Sequence, residues 1–315
     1  MSAEPALRPQ LSVVFFGMSG VLSALPLESL LRAGIDVRAV VMAALSGDVR
    51  PETPPTRELP PPASASRKAR ALLPVERGIR QIAADTGVPV FEVARLRARE
   101  TLATLSGFAP DAICVSCFPR RLPPDVLRLP RLGCLNVHPS LLPDNRGPDP
   151  LFWVFQRGDA QTGVTIHLMD EGFDSGPVLA QETIIMRDGV SEARLERMCA
   201  EVAGPLLIAS LKGLAAGTLA PRPQDESRAT SYSLPSAEDY RITPDRPARW
   251  AYNFASGVLA RGQPIVIATP EREFRLVAPL DFDAEATLDA PWRLDGAALA
   301  LRCAPGVFRA RVSSV

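Results

Sequence analysis

Residues 133–152 read GCLNVHPSLLPDNRGPDPLF, and residues 162–181 read TGVTIHLMDEGFDSGPVLAQ. The first segment opens as a strand. Successive side chains of a strand point to opposite faces, so Asn136 and His138 share one face and Val137 takes the other. An amide donor and an imidazole therefore meet near the carboxyl end of a strand, where open α/β sheets place their ligands. The second segment reads as a strand that runs into a glycine-bounded loop carrying Asp170, Glu171 and Asp174. An Asn, a His and a carboxylate suit transfer of an acyl-like group to an amine. The amide and the imidazole donate to the developing oxyanion, and the carboxylate takes the proton that the amine must lose. No serine or cysteine nucleophile is needed when the amine itself attacks. The same residues also have plainer readings, because an Asn ahead of a proline-rich stretch often forms a turn and a His in a strand is often a satisfied core group.

On either side of these segments the first half of the chain alternates short apolar runs with helical patterns, the mark of a parallel sheet covered by helices on both faces. Leu11 to Phe16 reads as a buried strand ending at Gly17, followed by a helix from Ser19 to Ala33 and a strand from Val37 to Met42. The turn between them, GMSG, lacks the spacing of a dinucleotide fingerprint and gives no support to a nicotinamide site. From Ala44 to Pro74 the pattern breaks into proline, alanine and serine with scattered arginines, a stretch that serves equally as a solvated loop or a binding loop. Helices are expected near Val75 to Thr86, Leu96 to Leu105 and Phe152 to Arg157. Strands are expected at Pro89 to Phe91, Ile113 to Cys117, Leu135 to His138, Val164 to Met169 and Val178 to Ile185. Ser191 caps a further helix whose apolar positions Leu195, Met198, Val202 and Leu206 recur at helical spacing, with Pro205 as a kink. Short strands at Ile265 to Ile267, Phe274 to Val277, Ala298 to Cys303 and Phe308 to Val312 suggest a small β-barrel of OB-like type. The domains expected are therefore 1–216, a linker at 217–239, and 240–315.

Composition excludes several classes. With 315 residues, 46% hydrophobic and 22% charged, the chain is long and apolar enough for two cored domains. Acidic and basic residues balance at 35 each, so no whole-chain field draws it to nucleic acid or membrane, and any such partner must meet a local patch. Tyr240 onward holds ten arginines against eight acidic residues, of which Arg249, Arg261, Arg309 and Arg311 are candidates for one basic face. No apolar run of membrane-spanning length and no secretory leader is seen, so the expected compartment is the cytoplasm, with no membrane partner. Five cysteines read as reduced, buried thiols. Cys114 and Cys117, with Cys134 and His138 downstream, have the residue types of a zinc site, but residues three apart in a strand diverge, so no metal is expected. Of the two histidines, His138 falls in the polar motif and His167 is read as structural.

The segments N-V-H-P-S-L-L-P, then R-G and P, then T-G-V-T-I and D-E-G-F-D-S-G resemble the signature of the folate-dependent formyltransferases. The resemblance implies that Asn136, His138 and Asp174 are catalytic and that Ser140 braces the signature loop. It also implies that the co-substrate is 10-formyltetrahydrofolate, held by Phe118, Pro119, Arg120, Arg121 and Leu122 on one side and by Asp170 and Glu171 on the other. The length and the trailing β segment are similar to the tRNA-formylating members, which makes the amino group of initiator methionyl-tRNA the first expectation for the acceptor. Formylation of a small amine, such as an amino sugar, a peptide or a siderophore amine, and hydrolysis of the formyl-folate are the alternatives. The chain departs from those members after the first strand, where they carry F-x-G-T-P and it carries Phe15-Phe16-Gly17-Met18-Ser19, and in its proline-dominated loop.

Overall fold

The fold is that of a computed structural model, which describes residues 10–45, 47, 49–62 and 77–314. Part of the proline-rich stretch (residues 46, 48 and 63–74), the start of the helix expected at Val75, and residues 1–9 at the amino terminus lie outside the described residues. Val13 to Phe16 have no exposed surface at all, so β1 (Ser12–Gly17) must be covered on both faces. It is followed by α1 (Val21–Arg32), β2 (Asp36–Ala43), β3 (Thr56–Leu59), α2 (Ile79–Thr86), β4 (Val90–Val93), α3 (Arg99–Gly107), β5 (Ala112–Ser116) and the single turn α4 (Pro124–Leu127). Then come β6 (Cys134–His138), α5 (Pro150–Arg157), β7 (Gln161–Leu168), β8 (Val178–Ile185) and α6 (Glu192–Ala215). These strands form one eight-stranded sheet in the order β3-β4-β2-β1-β5-β6-β7-β8.

The core from β4 to β6 is parallel, as the alternation of strands and helices requires. One side chain in two from each central strand (Val14 and Phe16, Ala39 and Val41, Ile113 and Val115) packs with Leu105, Leu122 and Val126 under α3 and α4. Helices α1 and α2 meet the sheet through β2 and β5. The edges depart from the parallel expectation. β3 lies antiparallel to β4, and β7 lies antiparallel to β6. Hydrophobic periodicity fixes which face a residue takes and carries no information on strand direction, so β7 reads the same either way.

Helix α6 is continuous through Pro205, and its fully buried stripe runs Leu195, Cys199, Ala203, Leu207, Leu211, one position round from the expected one. By length and composition it is the one helix among the described residues able to cross a membrane, yet that stripe is buried within the protein. The rest of the chain holds β9 (Arg241–Ile242), α7 (Ala248–Val258), β10 (Val266–Ala268), β11 (Glu273–Asp283), β12 (Trp292–Asp295), β13 (Ala298–Arg302) and β14 (Val307–Ser314). Its strands make a six-stranded sheet in the order β12-β13-β14-β11-β10-β9. The chain divides into two compact units. The first takes the described residues up to Pro143 with Val164–Glu182 and Arg197–Ala229; the second takes Asp144–Gly163, Thr183–Glu196 and Thr230 onward.

Candidate active site

The first unit gathers its polar side chains where β5, β6 and β7 lie side by side. β5 stops at Ser116, whose hydroxyl donates to the Leu22 carbonyl (2.6 Å), while Ser23 Oγ donates to the Ser116 carbonyl (2.8 Å) and accepts from Met18 N–H (3.1 Å). The turn after β1 is thereby tied to the end of β5. Gly17 has no room for a side chain, since a Cβ there would come within 2.8 Å of the Phe15 ring. Cys117 then turns out of the strand with φ 56° and is exposed, whereas Cys114 stays buried. Burial pushes the Cys114 thiol far up, with Cys134 adding to the effect, and pushes Cys134 up to about 12, the opposite of what a metal-binding thiolate needs. No group of three or more His, Cys, Asp or Glu side chains able to hold a metal occurs among the described residues.

β6 and β7 supply the centre. The antiparallel register sets Asn136 opposite His167 and His138 opposite Thr165, so all four side chains share one face. Asn136 Nδ2 lies 3.1 Å from His167 Nε2 and donates to Asp174 Oδ1 at 3.4 Å. Asp174 Oδ2 is 3.7 Å from His138 Nδ1, and Asp174 Oδ1 is 3.6 Å from His167 Nε2. The imidazoles stand edge to face, 6.4 Å apart. His138 and His167 are buried, at 4% and 1% exposed, while Asn136 and Asp174 are partly open. The three residues singled out from the sequence therefore converge. So does His167, read from the sequence as structural and found hydrogen-bonded to Asn136. Its period-two partnership with Thr165 was the available signal; what the sequence lacked was the direction of β7.

Asp174 reaches this face because the loop after β7 curls back. Asp170 shapes the curl by accepting from Gly172 N–H (2.9 Å) and from Ser175 Oγ at 2.9 Å (Oδ1) and 3.1 Å (Oδ2). Asp174 has a left-handed backbone (φ 51°), which Asp tolerates better than most residues. Gly176 lies so close to the Leu168 carbonyl that a Cβ would fall 1.8 Å from its oxygen. Gln224, which sequence reasoning did not single out, donates to the carbonyls of Asp174 (2.6 Å) and Gly176 (2.7 Å) and pins the loop from behind.

The residues expected to hold a folate are distributed unevenly. Arg120 turns its guanidinium to the carbonyls of Ala44 (2.5 Å) and Ala94 (2.6 Å), bracing the loop against the ends of β2 and β4. Leu122 is buried in the core. Phe118 packs edge-on against Phe16, with ring centroids 5.0 Å apart. Pro119, Arg121 and Glu171 are exposed, and Arg121 stacks over Phe173 (4.4 Å) and donates to the Glu171 carbonyl, joining the two loops. Ser140 is buried; its N–H donates to the His138 carbonyl (2.9 Å) and its carbonyl accepts from Thr165 Oγ (2.6 Å). Gln181 completes that brace by donating to Thr165 Oγ (2.9 Å) and to the Leu142 carbonyl (2.7 Å). Arg120, Arg121 and Asp170 thus use their side chains to hold the backbone of the loops beside the Asn136, His138 and Asp174 face in place.

Comparison with known proteins decides the family. The formyl transferase family model matches residues 11–211. The chain belongs to the formyl transferase family. Methionyl-tRNA formyltransferase of Synechococcus sp. (strain JA-3-3Ab) is 36% identical over 242 residues, which is 76% of this chain and 69% of that protein. The same enzyme of Synechocystis sp. (strain ATCC 27184 / PCC 6803 / Kazusa) is 39% identical over 196 residues, 61% and 58% of the two chains. In fold, the chain resembles an N-formyltransferase of Helicobacter canadensis solved with folinic acid and dTDP-3-aminofucose, at a TM-score of 0.64 and 11% identity over 96% of this chain and 99% of that one. It also resembles HypX of Aquifex aeolicus, at a TM-score of 0.58 and 18% identity over 96% and 45% of the two chains. A formyl transferase needs oxyanion donors and a proton acceptor on one face, and this face of β6 and β7 carries both kinds of group.

Proposed function

We propose that the chain transfers the formyl group of 10-formyltetrahydrofolate to the amino group of methionyl-tRNA, with Asn136, His138 and Asp174 as catalytic residues. The convergence of these three side chains within a half-buried face carries the chemical part of the reading; the likeness to the Synechococcus enzyme supports the acceptor. The free amine attacks the formyl carbon, the carbonyl oxygen becomes an oxyanion, and Asn136 Nδ2–H with a protonated His138 donates to it. Asp174 holds His138 and takes the proton released by the attacking nitrogen; collapse breaks the bond to N10 of the folate, and N10 receives that proton from Asp174 as tetrahydrofolate leaves. Phe118, Pro119, Arg120, Arg121, Leu122, Ser140, Asp170 and Glu171 form or brace the folate pocket. Residues 1–216 act as the catalytic domain, 217–239 as the linker, and 240–315 in holding the acceptor.

The second sheet supports a polyanionic acceptor. Its registers align Arg293, Ala300, Arg309 and Asp281 in one row and Asp295, Ala298, Arg311 and Ala278 in the next; Arg309 is paired with Asp281 (2.6 Å), and Arg293 and Arg311 are exposed on the same face. Arg261, one of the arginines expected on a basic face, is instead turned into ion pairs with Asp149 (2.6 Å) and Glu192, and Arg249 pairs with Asp188 (2.7 Å).

Incubation with 10-formyltetrahydrofolate and charged initiator tRNA, a panel of small amines, or no acceptor tests the reading. Formylated methionyl-tRNA is the expected product. Formylation of a small amine alone, or release of formate at the turnover rate without acceptor, overturns it. Asn136→Ala and His138→Ala are each expected to lower kcat on the order of a hundredfold; near-normal turnover in both removes the residue assignment.

A further inference from the structure

We infer that His167 is a positioning residue for the reaction, acting through Asn136; the inference rests on the assignment of Asn136 as an oxyanion donor. The His167 ring is fixed at both nitrogens. Nδ1 lies 3.0 Å from the Leu168 carbonyl oxygen, which can only accept, so Nδ1 carries the proton. In the neutral ring, Nε2 is then an acceptor, and the group 3.1 Å away is Asn136 Nδ2. The other neighbour of that amide nitrogen, Asp174 Oδ1 at 3.4 Å, is also an acceptor. A carboxamide can turn over and exchange its oxygen for its nitrogen. Here the turned form would set the Asn136 oxygen against two acceptors, and the observed form sets its two N–H bonds toward them. The plane and sense of the Asn136 amide are therefore dictated by its surroundings, and the shorter of the two distances is the one to His167.

This arrangement divides the two N–H bonds between different tasks. The bond to Asp174 is the longer, and Asp174 also lies near His138 Nδ1, so the N–H facing Asp174 is the one whose acceptor an entering formyl oxygen replaces, with no turn of the amide. The N–H on His167 Nε2 stays in place and keeps the amide plane fixed while the oxyanion forms. His167 itself is 1% exposed and sits on the strand beside Asn136, too deeply placed to meet the substrate. Its contribution is orientation, and orientation of a donor is expressed in turnover more than in substrate binding.

Steady-state formyl transfer by the full-length chain, with His167→Leu, His167→Gln, Asn136→Ala and Asn136→Ala/His167→Leu, tests this, with thermal unfolding as the control on folding. Leucine fills the site and cannot accept; glutamine places a carbonyl oxygen where Nε2 lay. His167→Leu is expected to lower kcat by about 10- to 100-fold with KM for 10-formyltetrahydrofolate within about twofold, and His167→Gln to recover most of that loss. In the Asn136→Ala background, His167→Leu is expected to cost less than about threefold more, because the group it orients is gone. Additive losses, a glutamine variant no better than the leucine one, or a change confined to KM overturns the inference. If Asn136→Ala is impaired and His167→Leu is not, the inference falls and the assignment of Asn136 stands; if Asn136→Ala turns over normally, both fall. Should His167→Leu fail to fold, His167→Met takes its place in the same comparisons.

Discussion

Cys117 is the one exposed cysteine of five, set at the head of the loop proposed to line the folate. Cys114 and Cys134 are shielded within the sheet with thiols pushed up by burial, and burial pushes Cys303 up to about 11. Iodoacetamide at neutral pH is therefore expected to modify the native protein at Cys117 first, more slowly with 10-formyltetrahydrofolate present, as read by peptide mass spectrometry. Modification of Cys114 or Cys134 ahead of it would mean that β5 and β6 open more readily than their burial implies. At this scale the sequence was informative wherever chemistry follows from spacing on one strand. Asn136 and His138 lie two apart, and that alone puts them on one face. Asp174 was legible as a carboxylate in a glycine-bounded loop after a strand. His167 was not, because its value depends on which residue of another strand stands opposite it. Gln224 lies some fifty residues from the loop it holds, and no local pattern announces such a pairing.

Asp111 shows how an element is held by a single carboxylate. At the start of β5 it accepts from Ser12 N–H (2.9 Å) and Ser12 Oγ (3.0 Å) at the start of β1, and from Arg131 Nε (2.7 Å). Burial alone would raise its pKa, but the bonds from Ser12 and Arg131 outweigh that and hold it below its ordinary value of 3.8. A carboxyl held low when folded contributes stability that is present above its unfolded pKa and lost as pH falls through the folded one. Asp111→Asn is expected to be less stable than wild type by about 1 kcal/mol in urea unfolding at pH 7, with the gap constant down to about pH 5 and closing below about pH 4. A gap that persists into acid would mean that the charge of Asp111 is not its source. Gly176→Ala acts on the other element of the site. The new Cβ would strike the Leu168 carbonyl, the same oxygen that accepts from His167 Nδ1. It is expected to cost about 1–3 kcal/mol in stability and, beyond that, to lower kcat at a temperature where the variant is fully folded. Full turnover by folded Gly176→Ala would mean that the Leu168 carbonyl can shift without consequence. Most strands and helices of the first half were legible from alternation and periodicity. β3 was not, since it lies among Pro54, Pro55 and Pro60, residues that argue against a strand except at a sheet edge, where β3 sits. α7 falls where the sequence reading placed no element, although Trp250, Phe254 and Val258 recur at helical spacing and are buried.

At the scale of the whole molecule, net charge is zero, so the proposed polyanionic acceptor needs a local basic patch, for which the arginines on the open face of the second sheet are the candidates. Removing one phosphate-binding arginine should reduce the slope of log affinity against log salt by about 0.7 to 0.9. Arg293→Ala and Arg311→Ala are expected to raise KM for methionyl-tRNA and to flatten its dependence on potassium chloride, with kcat for a saturating acceptor little changed. Unaltered KM and slope in both would take that face out of acceptor binding. Sequence arithmetic alone left open where such a face would lie. Arg261 looked as available as Arg311, and only the fold reveals Asp149 and Glu192 around its guanidinium. The scarcity of histidine has a further consequence. The chain has two imidazoles, and they stand 6.4 Å apart in the same site. A protein labelled with nitrogen-15 in histidine alone would thus yield an NMR spectrum of the proposed reaction centre uncrowded by any other ring. The His167 signals should report a protonated Nδ1 and a bare Nε2 before any substrate is added, and both rings should respond when folate arrives.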